Sequence, residues 1–378
     1  MSTVWDDVVG QEPAVAVLRE AAADPSRMTH AWLLTGPPGS GRSNAARAFA
    51  AALQDPSGDP RSPGCATVLA GTHPDVTFVS TEGVVIRADT VRPLVELAQR
   101  APSQGRWRVI VIEDADRLNE TSGNVLLKAI EEPPPRTVWL LCAPSPQDVL
   151  VTLRSRSRSV ALRVPPVEAV AELLVRRDGV DPQVALVAAR AAQSHVGVAR
   201  RLARDPEARA RRAAVLRIAP RVRGVGDAVL AAGELVETAQ ADAKAATEER
   251  DAVERQQLLR SLGAEGLATV PPALRGAVKQ LEEEQKRRAT RAQRDVLDRA
   301  MIDLLSFYRD VLVLQLGSEV HLVNAEHEEA ARSIAESTTP ELTVRRMDAI
   351  GEARTRLDGN VAPLLAVEAM LIALRPQA

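Results

Sequence analysis

The sequence predicts an α/β domain followed by an all-α region. Short, almost continuously apolar runs alternate with helical patterns up to about residue 165, and every later pattern is helical. Such runs are typical of strands buried in a parallel sheet, and their alternation with helices is typical of a doubly wound α/β domain. The change falls at "RVPPVE", residues 163–168, where adjacent prolines stop regular structure.

Five strands and four helices account for the α/β domain, which we assign to residues 1–165. The strands are the apolar runs Ala31–Thr35, Asp75–Ser80, Arg108–Asp114, Val138–Ala143 and Ser159–Val164. Helical spacing of apolar residues predicts the helices Pro13–Ala23, Ser43–Leu53, Thr90–Arg100 and Ser122–Glu132.

The all-α region is predicted to form a small helical domain at 166–207 and a larger one at 208–378. In the larger domain, a charged insertion at about 234–299 is predicted to form an antiparallel helical hairpin with "LGAEGLATVPP", 262–272, as its loop. Further on, 294–317 predicts a helix whose apolar stripe packs in the domain core, and whose residues 311–314, apolar on every side, are buried. The stripe comprises Val296, Leu297, Ala300, Leu304, Leu305 and Tyr308.

Composition and charge exclude several classes of protein. The 378 residues include 45% hydrophobic and 26% charged side chains, as in globular proteins. A formal net charge of −2 gives no whole-molecule attraction to nucleic acid or acidic lipid. The start lacks the basic and apolar regions of a secretory signal, and no apolar run is long enough for a membrane span. We expect a cytoplasmic protein without membrane contact.

A phosphate-binding loop follows the first predicted strand and opens a helix, which is the context such a loop requires. Its glycines allow backbone N–H groups to converge on phosphate oxygens, and its last residue is placed to ligate Mg²⁺. Arginine replaces the usual lysine, and its longer, planar side chain is a poor substitute in hydrolysis. The loop either binds ATP or ADP with Mg²⁺ or is a glycine-rich turn without a ligand. It comprises Gly36, Pro37, Pro38, Gly39, Ser40, Gly41, Arg42 and Ser43.

An acidic motif, "VIVIEDADRLN", ends the third predicted strand. Two carboxylates beside a phosphate loop normally hold the Mg²⁺ shell and polarise the attacking water. Their usual order is Asp then Glu, whereas here Glu113 precedes Asp114. Because misplacement by about 1 Å can cost roughly a hundredfold in rate, both motifs predict weak or absent hydrolysis at the chain's own site.

Four ordered motifs carry a resemblance to a known family. They are "VWDDVVGQ" at 4–11, the phosphate loop, "LLKAIEEPP" at 126–134 and "TLRSRS" at 152–157. With them the chain resembles the bacterial clamp-loader AAA+ subunits of DNA polymerase III, and most closely their δ′ branch of the actinobacterial kind. The resemblance implies a RecA-like AAA+ domain at 1–165, a helical lid at 166–207 and a helical collar at 208–378.

The resemblance implies a role for Arg156. In this family a Ser-Arg-Cys motif presents an arginine finger to the ATP held by a neighbouring subunit, and here the motif reads Ser155, Arg156, Ser157. Such a finger can be worth roughly 10³–10⁵ in rate. On spacing alone another interpretation stays open, in which Arg154, Arg156 and Arg158 alternate as solvated residues of an edge strand.

The resemblance also implies nucleotide sensors, and here they have drifted. Ala143 and Pro144 stand where polar sensor residues are expected. Gly197 stands where the family has a lid arginine, unless Arg200 or Arg201 takes that place in a shifted helix register. A degraded site beside a retained Arg156 is what a stator subunit requires.

Two further segments complete the predictions. The four-cysteine zinc module of the family corresponds to 54–76, which holds only Cys65 and His73, so we expect no zinc site and a Cys65 packed under the loop. The basic stretch 208–224 either contacts phosphates or an acidic partner surface, or forms a solvated helix face. Its arginines are Arg209, Arg211, Arg212, Arg217, Arg221 and Arg223.

Three functions are weighed. The first is a δ′-like stator that supplies Arg156 in trans within a hetero-pentamer of γ/τ and δ subunits, and acts through that complex on primed DNA and the sliding clamp. The second is a γ/τ-like ATP-hydrolysing motor that tolerates Arg42. The third is an AAA+-derived scaffold outside replication. The degraded loop and acidic motif favour the stator.

Overall fold

The protein is described by a computed structural model covering residues 2–81, 85–261, 271, 274–359 and 361–376. Its contacts divide the chain into two compact units, 1–205 (unit 1) and 206–378 (unit 2). Unit 1 contains the segment predicted as the AAA+ domain and all but the last two residues of the predicted lid. The finer division into three domains stays a prediction.

A five-stranded parallel sheet forms the centre of unit 1, in the order β2-β3-β4-β1-β5. Every residue of the three inner strands is buried, because helices cover both faces of the sheet. The parallel sheet confirms the predicted α/β class. The strands are β1 (Ala31–Thr35), β2 (Val76–Val79), β3 (Arg108–Ile112), β4 (Thr137–Ala143) and β5 (Arg158–Ala161).

Nine helices are described in unit 1, and the four predicted from sequence match α1, α2, α4 and α5 within two residues at each end. Two apolar clusters pack on opposite faces of the sheet. In one, Trp32 meets Phe49 edge-on at 5.1 Å between ring centroids; the other includes Leu33, Ile112 and Leu126. The helices are α1 (Glu12–Ala23), α2 (Arg42–Gln54), α3 (Pro63–Leu69), α4 (Ala88–Ala98), α5 (Glu120–Glu131), α6 (Val151–Arg154), α7 (Val167–Asp178), α8 (Pro182–Ala191) and α9 (Val196–Arg204).

Two short helices of unit 1 were not predicted. The α3 helix begins at Pro63, after Ser62, whose side chain accepts a hydrogen bond from the Cys65 N–H as its N-cap. The α6 helix precedes β5, so Arg154 ends a helix and Arg156 lies in the following turn. The alternating edge-strand interpretation of the three arginines is therefore wrong for Arg154 and Arg156.

Unit 2 is helical over its described residues. Its two long helices run antiparallel, because Arg255 pairs with Glu282 at 2.7 Å and Asp251 with Arg288 at 2.9 Å. This confirms the predicted hairpin, while its loop, 262–272, lies outside the described residues except for Pro271. The helices are α10 (Pro206–Leu216), α11 (Ile218–Arg221), α12 (Val225–Ser261), α13 (Arg275–Gln315), α14 (Glu328–Ser337), α15 (Pro340–Asp358) and α16 (Pro363–Leu374).

A buried polar network in unit 2 corrects one interpretation of the basic stretch. Arg212, 7% exposed, pairs with Asp303 at 3.1 Å and with Glu326 at 3.4 Å, and also donates to the side-chain oxygen of Asn324. The network ties α10 to α13 and to the segment before α14. Arg212 is thus a core residue, because its acidic partners lie far away in sequence and the local pattern hides them.

The α13 helix behaves as predicted over most of its stripe. Leu297, Ala300, Leu304 and Tyr308 are buried in the unit 2 core. Of the all-apolar segment 311–314, only Val311 is buried and the other three are half-buried, so the expectation of full burial is wrong there. No helix within the described ranges is long and apolar enough to cross a membrane.

Candidate functional site

The phosphate loop runs from the end of β1 into the start of α2. Gly39 and Gly41 adopt φ values of 87° and 86°, a left-handed conformation that glycine reaches without strain. The Gly36 N–H donates to the carbonyl of Ala143 at 3.3 Å, which anchors the loop to the end of β4. The Ser40 hydroxyl is buried and has no hydrogen-bond partner among the described residues. The backbone is therefore a pre-formed cradle of the kind that receives a phosphate.

Arg42, the residue in the lysine position, folds back onto the loop. Its Nη1 donates a hydrogen bond to the carbonyl oxygen of Gly36. A lysine in this position would have a compact ammonium group free to follow a phosphoryl group. Here one edge of the planar guanidinium is occupied by the loop's own backbone.

His195, the residue just before α9, packs against one side of the phosphate loop. A Cβ placed on Gly39 would lie 3.0 Å from the Cα of His195, so the two backbones are in direct contact. Gln193 and Ser194, just before it, adopt left-handed φ values of 49° and 64°. Such values are uncommon for residues with a side chain and indicate a tightly constrained turn. The turn holds the start of α9 against the phosphate loop.

Gln11, from the "VVGQ" segment, joins the loop to the end of the sheet. Its side-chain amide is 2% exposed and donates to the carbonyl of Ser40 at 3.0 Å and to that of Arg163. Its side-chain oxygen accepts from the Arg163 N–H at 3.1 Å. Next to it, a Cβ on Gly10 would lie 2.8 Å from a side-chain carbon of Pro166. Gln11 therefore links the phosphate loop to the segment that follows β5. The local sequence does not reveal this role.

Both carboxylates of the acidic motif are engaged within the chain. Glu113 lies beside the Ser43 hydroxyl, and its Oε1 is 3.9 Å from Nη2 of Arg47. Burial raises the pKa of Glu113, and the positive charge of Arg47 opposes that rise. Asp114 accepts a hydrogen bond from the Thr81 N–H at 2.9 Å. Glu113, the carboxylate nearest the expected metal position, thus has a cationic neighbour, and Asp114 accepts a hydrogen bond from the backbone.

The predicted sensor positions carry no sensor chemistry. Ala143 is fully buried at the end of β4 and has no polar side-chain atom. Arg200 is held by Asp178 of α7, with Nε 2.8 Å from the carboxylate oxygen. Arg201 lies 4.0 Å from Asp205. Among the contacts of the described residues, neither arginine reaches the phosphate loop, and His195, which does meet the loop, was not predicted.

Arg156 lies at the surface of unit 1, about two-fifths exposed. Its Nε is 2.7 Å from Oε1 of Glu131, the last residue of α5. Its Nη1 donates to the carbonyl of Thr152 at 3.1 Å and to the hydroxyl of Ser155 at 3.2 Å. Within the described residues, Nη2 has no hydrogen-bond partner. The guanidinium therefore has contacts at Nε and Nη1 within the chain, and its side chain is about two-fifths exposed.

The cysteine segment forms a packed corner. Cys65 is fully buried in α3, where its thiol lies 3.6 Å from the carbonyl of Ala51. His73 accepts a hydrogen bond from the Asp75 N–H at its Nδ1. Across the described part of the chain, no three His, Cys, Asp or Glu side chains are grouped to hold a metal ion. Burial raises the pKa of Cys142, the second cysteine, to about 12, which leaves its thiol unreactive.

A cavity of about 300 Å³ lies between the N-terminal segment, α1 and α7. Trp5, Val8 and Gly10 line one side, and Glu172 and Arg176 line the other. No residue of the phosphate loop lines it. The cavity is therefore not the phosphate site.

The backbone of the loop fits a phosphate group, whereas the side chains around it do not fit hydrolysis. The glycine conformations and the orphaned Ser40 hydroxyl suit an anion, and Ser43 beside Glu113 is placed to share a Mg²⁺ ion. Against this, Arg42 donates to the loop itself, Arg47 approaches Glu113, and the predicted sensor position at the end of β4 is the apolar Ala143. Sequence patterns predicted the first group of features, and only the fold reveals Arg47, His195 and Gln11.

Comparison with known proteins gives consistent similarities for unit 1. A family model described as DNA polymerase III, delta subunit, matches residues 10–166. The chain is 32% identical over 176 residues to DNA polymerase III subunit gamma/tau of Mycobacterium tuberculosis, a match covering 45% of this chain and 30% of that protein. It is 36% identical over 166 residues to subunit delta′ of Pseudomonas aeruginosa, covering 42% and 50%.

Two further similarities extend over more of the chain. Subunit delta′ of Bacillus subtilis is 27% identical over 224 residues, covering 58% of this chain and 67% of that protein. A solved gamma-subunit-related protein of Thermotoga maritima, 15% identical, matches 96% of this chain and 98% of its own with a TM-score of 0.41. The chain thus spans 30% of the length of the mycobacterial relative and half of that from P. aeruginosa.

Proposed function

We propose that this chain, which belongs to the DNA polymerase III clamp-loader family, is a δ′-like stator of the replicative clamp loader. In this role it assembles with γ/τ and δ subunits in a hetero-pentamer that loads the sliding clamp onto primed DNA. It supplies Arg156 in trans to the ATP site of a neighbouring γ/τ subunit. The names of the relatives support clamp loading, and the two sites of unit 1 support the stator role.

The observation that carries the proposal is the contrast between the two cationic groups of unit 1. Arg42, in the chain's own site, is turned onto the Gly36 carbonyl. Arg156, outside that site, is half-exposed and has an unpartnered Nη2. A motor subunit needs its cation free at its own phosphate loop, whereas a stator needs it free at the surface. This arrangement favours a stator.

Arg156 would act by electrostatic stabilisation. Charge spreads over the oxygens of the transferring phosphoryl group, and a planar guanidinium placed there lowers the barrier. Nη2 of Arg156 is the nitrogen that remains available for that contact. Because the neighbour holds ATP and Mg²⁺, this chain contributes one positioned charge and no base.

The chain's own loop is proposed to retain phosphate affinity without efficient turnover. The cradle of Gly36, Gly39 and Gly41 remains intact, which supports binding of ATP or ADP. The neighbours of Arg42 and Glu113 oppose alignment of an attacking water. Unit 2 is proposed to form the helical collar through which the subunits assemble, by analogy with the family alone.

Replacing Arg156 tests the proposal. In a reconstituted complex with the γ/τ and δ subunits, Arg156→Ala should lower ATP hydrolysis at the facing site by roughly 10³–10⁵. The total DNA-stimulated rate should then fall sharply. Assembly should be unchanged in size-exclusion chromatography, because Arg156 makes only surface contacts in the chain.

Arg158→Ala is the matched control. Arg158 is also exposed and lies two residues away, but its Nη1 donates to the Arg27 carbonyl and its guanidinium stacks on Trp32 at 4.8 Å. The Arg158 variant should keep the DNA-stimulated rate. Wild-type ATPase in the Arg156→Ala complex would refute the trans assignment.

A γ/τ-like motor is the second candidate, favoured by the 32% identity to the mycobacterial gamma/tau subunit and by Ser43 beside Glu113. It requires ATP turnover by this chain, abolished by Asp114→Asn. Labelled ATP incubated with the purified chain, alone and in the complex, distinguishes the two. Brisk turnover by the isolated chain would establish the motor and overturn the stator.

A further inference from the structure

The guanidinium of Arg156 is oriented by contacts within its own chain. Nε meets Glu131 at 2.7 Å, and Nη1 meets the Thr152 carbonyl and the Ser155 hydroxyl. These contacts use two of its three nitrogens and leave Nη2 without a hydrogen bond among the described residues. A side chain with several rotatable bonds is thereby limited to one direction.

Glu131 stands where a carboxylate is unfavourable for the helix that carries it. It is the last residue of α5, and the C-terminus of a helix carries partial negative charge, which repels an acid and attracts a base. Its pair with Arg156 is about 40% exposed on both sides, and such surface pairs add little to stability. Neither helix formation nor overall stability accounts for an acid here, whereas orientation of Arg156 does.

The backbone that carries Arg156 is seated on the same helix. Gly123 of α5 lies against Leu150, so closely that a Cβ at position 123 would collide with the Leu150 side chain. Leu153 of α6 is fully buried in the adjoining core, three residues before Arg156. One end of α5 thus sets the position of α6, and the other end holds the guanidinium.

We propose that Glu131 is a positioning residue for Arg156, orienting its guanidinium so that Nη2 reaches a phosphate oxygen of the neighbouring subunit. This rests on the proposed trans role of Arg156. Glu131 keeps its pair with Nε while Nη2 binds the anion, because Nη2 carries two N–H groups and only one of them lies on the edge that it shares with Nε. The phosphate then meets a guanidinium whose direction is already fixed.

The test uses the assembled complex with γ/τ and δ subunits and measures kcat and KM for ATP separately. Glu131→Ala should lower kcat of the affected site roughly 10- to 100-fold, the order expected of a displacement near 1 Å. KM should be unchanged, since another subunit binds the ATP. Glu131→Gln keeps the length of the side chain and one oxygen beside Nε, so it should recover part of the loss.

Glu132→Ala is the control, because Glu132 follows in the same motif, is exposed and makes no described contact with Arg156. It should match wild type. The double variant Glu131→Ala/Arg156→Ala should be no slower than Arg156→Ala alone, because Glu131 acts only through that arginine. All variants should keep the wild-type unfolding midpoint.

The outcomes distinguish the positioning role of Glu131 from the trans role of Arg156 on which it rests. If Arg156→Ala is slow and Glu131→Ala is as fast as wild type or faster, the positioning role is refuted while the stator stands. An equal loss in Glu131→Gln and Glu131→Ala also refutes orientation by the contact between this side-chain oxygen and Nε. If Arg156→Ala has wild-type activity, both proposals fall.

Discussion

Two arginine–carboxylate pairs in unit 1 have similar lengths and opposite surroundings. Arg108 meets Asp75 at 3.0 Å between Nη2 and Oδ1, with side-chain exposures of 5% and 0%. Arg156 meets Glu131 at 2.7 Å, with exposures of 40% and 41%. The first pair joins the first residue of β3 to the residue just before β2. The second pair joins the last residue of α5 to the turn that follows α6.

The contrast teaches that distance alone does not give the role of an ion pair. Asp75 also accepts from the backbone N–H groups of Ser103, Gln104 and Gly105, while Arg108 donates to three carbonyls around it. Every side-chain nitrogen and oxygen of this buried pair therefore has a hydrogen-bond partner within the fold. The exposed pair leaves Nη2 of Arg156 uncommitted, so it can serve another molecule.

Breaking the buried pair should have the largest effect on stability. Asp75→Asn removes the charge and turns an amide N–H₂ toward backbone donors, leaving Arg108 buried without its partner. We expect a loss of about 3–5 kcal/mol in the free energy of unfolding of unit 1. Urea unfolding followed by tryptophan fluorescence measures unit 1 alone, because all four tryptophans, at 5, 32, 107 and 139, lie in it.

The control for this variant is Asp89→Asn. Asp89 pairs with Arg92 at 2.7 Å, but with exposures of 85% and 61%, so its loss should cost under about 1 kcal/mol. Equal effects from the two substitutions would show that burial does not distinguish these pairs.

The pH dependence of the free energy of unfolding provides a second test of the buried pair. Burial alone would raise the pKa of Asp75, but hydrogen bonds from Gly105, Ser103 and Gln104 outweigh it and lower the pKa from 3.8 to about 2. The depressed pKa contributes about 2.5 kcal/mol above pH 4, and this is lost as the pH falls from 3.8 through 2, where the folded carboxylate takes up its proton.

The measurement compares wild type with Asp75→Asn across this range. Asparagine does not titrate, so the stability gap between the two proteins should narrow by about 2 kcal/mol between pH 6 and pH 2. A gap that stays constant down to pH 2 would contradict the assignment of the low pKa to Asp75.

Local patterns in the sequence predicted the elements that position the site, since strands buried on both faces and glycine-rich turns carry their signals within a few residues. The loop at 36–43 and the pair Glu113 and Asp114 fall where they were predicted. The bounds of the edge strand β5 were missed and the short helix α6 was not predicted, because four-residue elements owe their form to tertiary packing more than to propensity.

Contacts between distant residues could not be predicted in this way. His195 meets Gly39, and Gln11 reaches Arg163, across more than 150 positions. Arg212 resembled a surface arginine because its carboxylate partners lie elsewhere in the chain. For Glu131 a local signal did exist, since an acid at the end of a predicted helix opposes the helix dipole.

The smallest expected effect concerns the stability of the exposed pair. Arg156→Ala removes one surface ion pair and two hydrogen bonds at a turn, so the free energy of unfolding of unit 1 should change by less than about 1 kcal/mol. Urea unfolding of the purified chain followed by tryptophan fluorescence measures this. A negligible change beside a large loss of DNA-stimulated ATPase in the complex would mean that Arg156 acts outside its own fold. A loss of about 3 kcal/mol would instead make the residue structural, like Arg108. Reduced activity in the variant complex would then reflect a damaged subunit, so this measurement decides how the activity assay is interpreted.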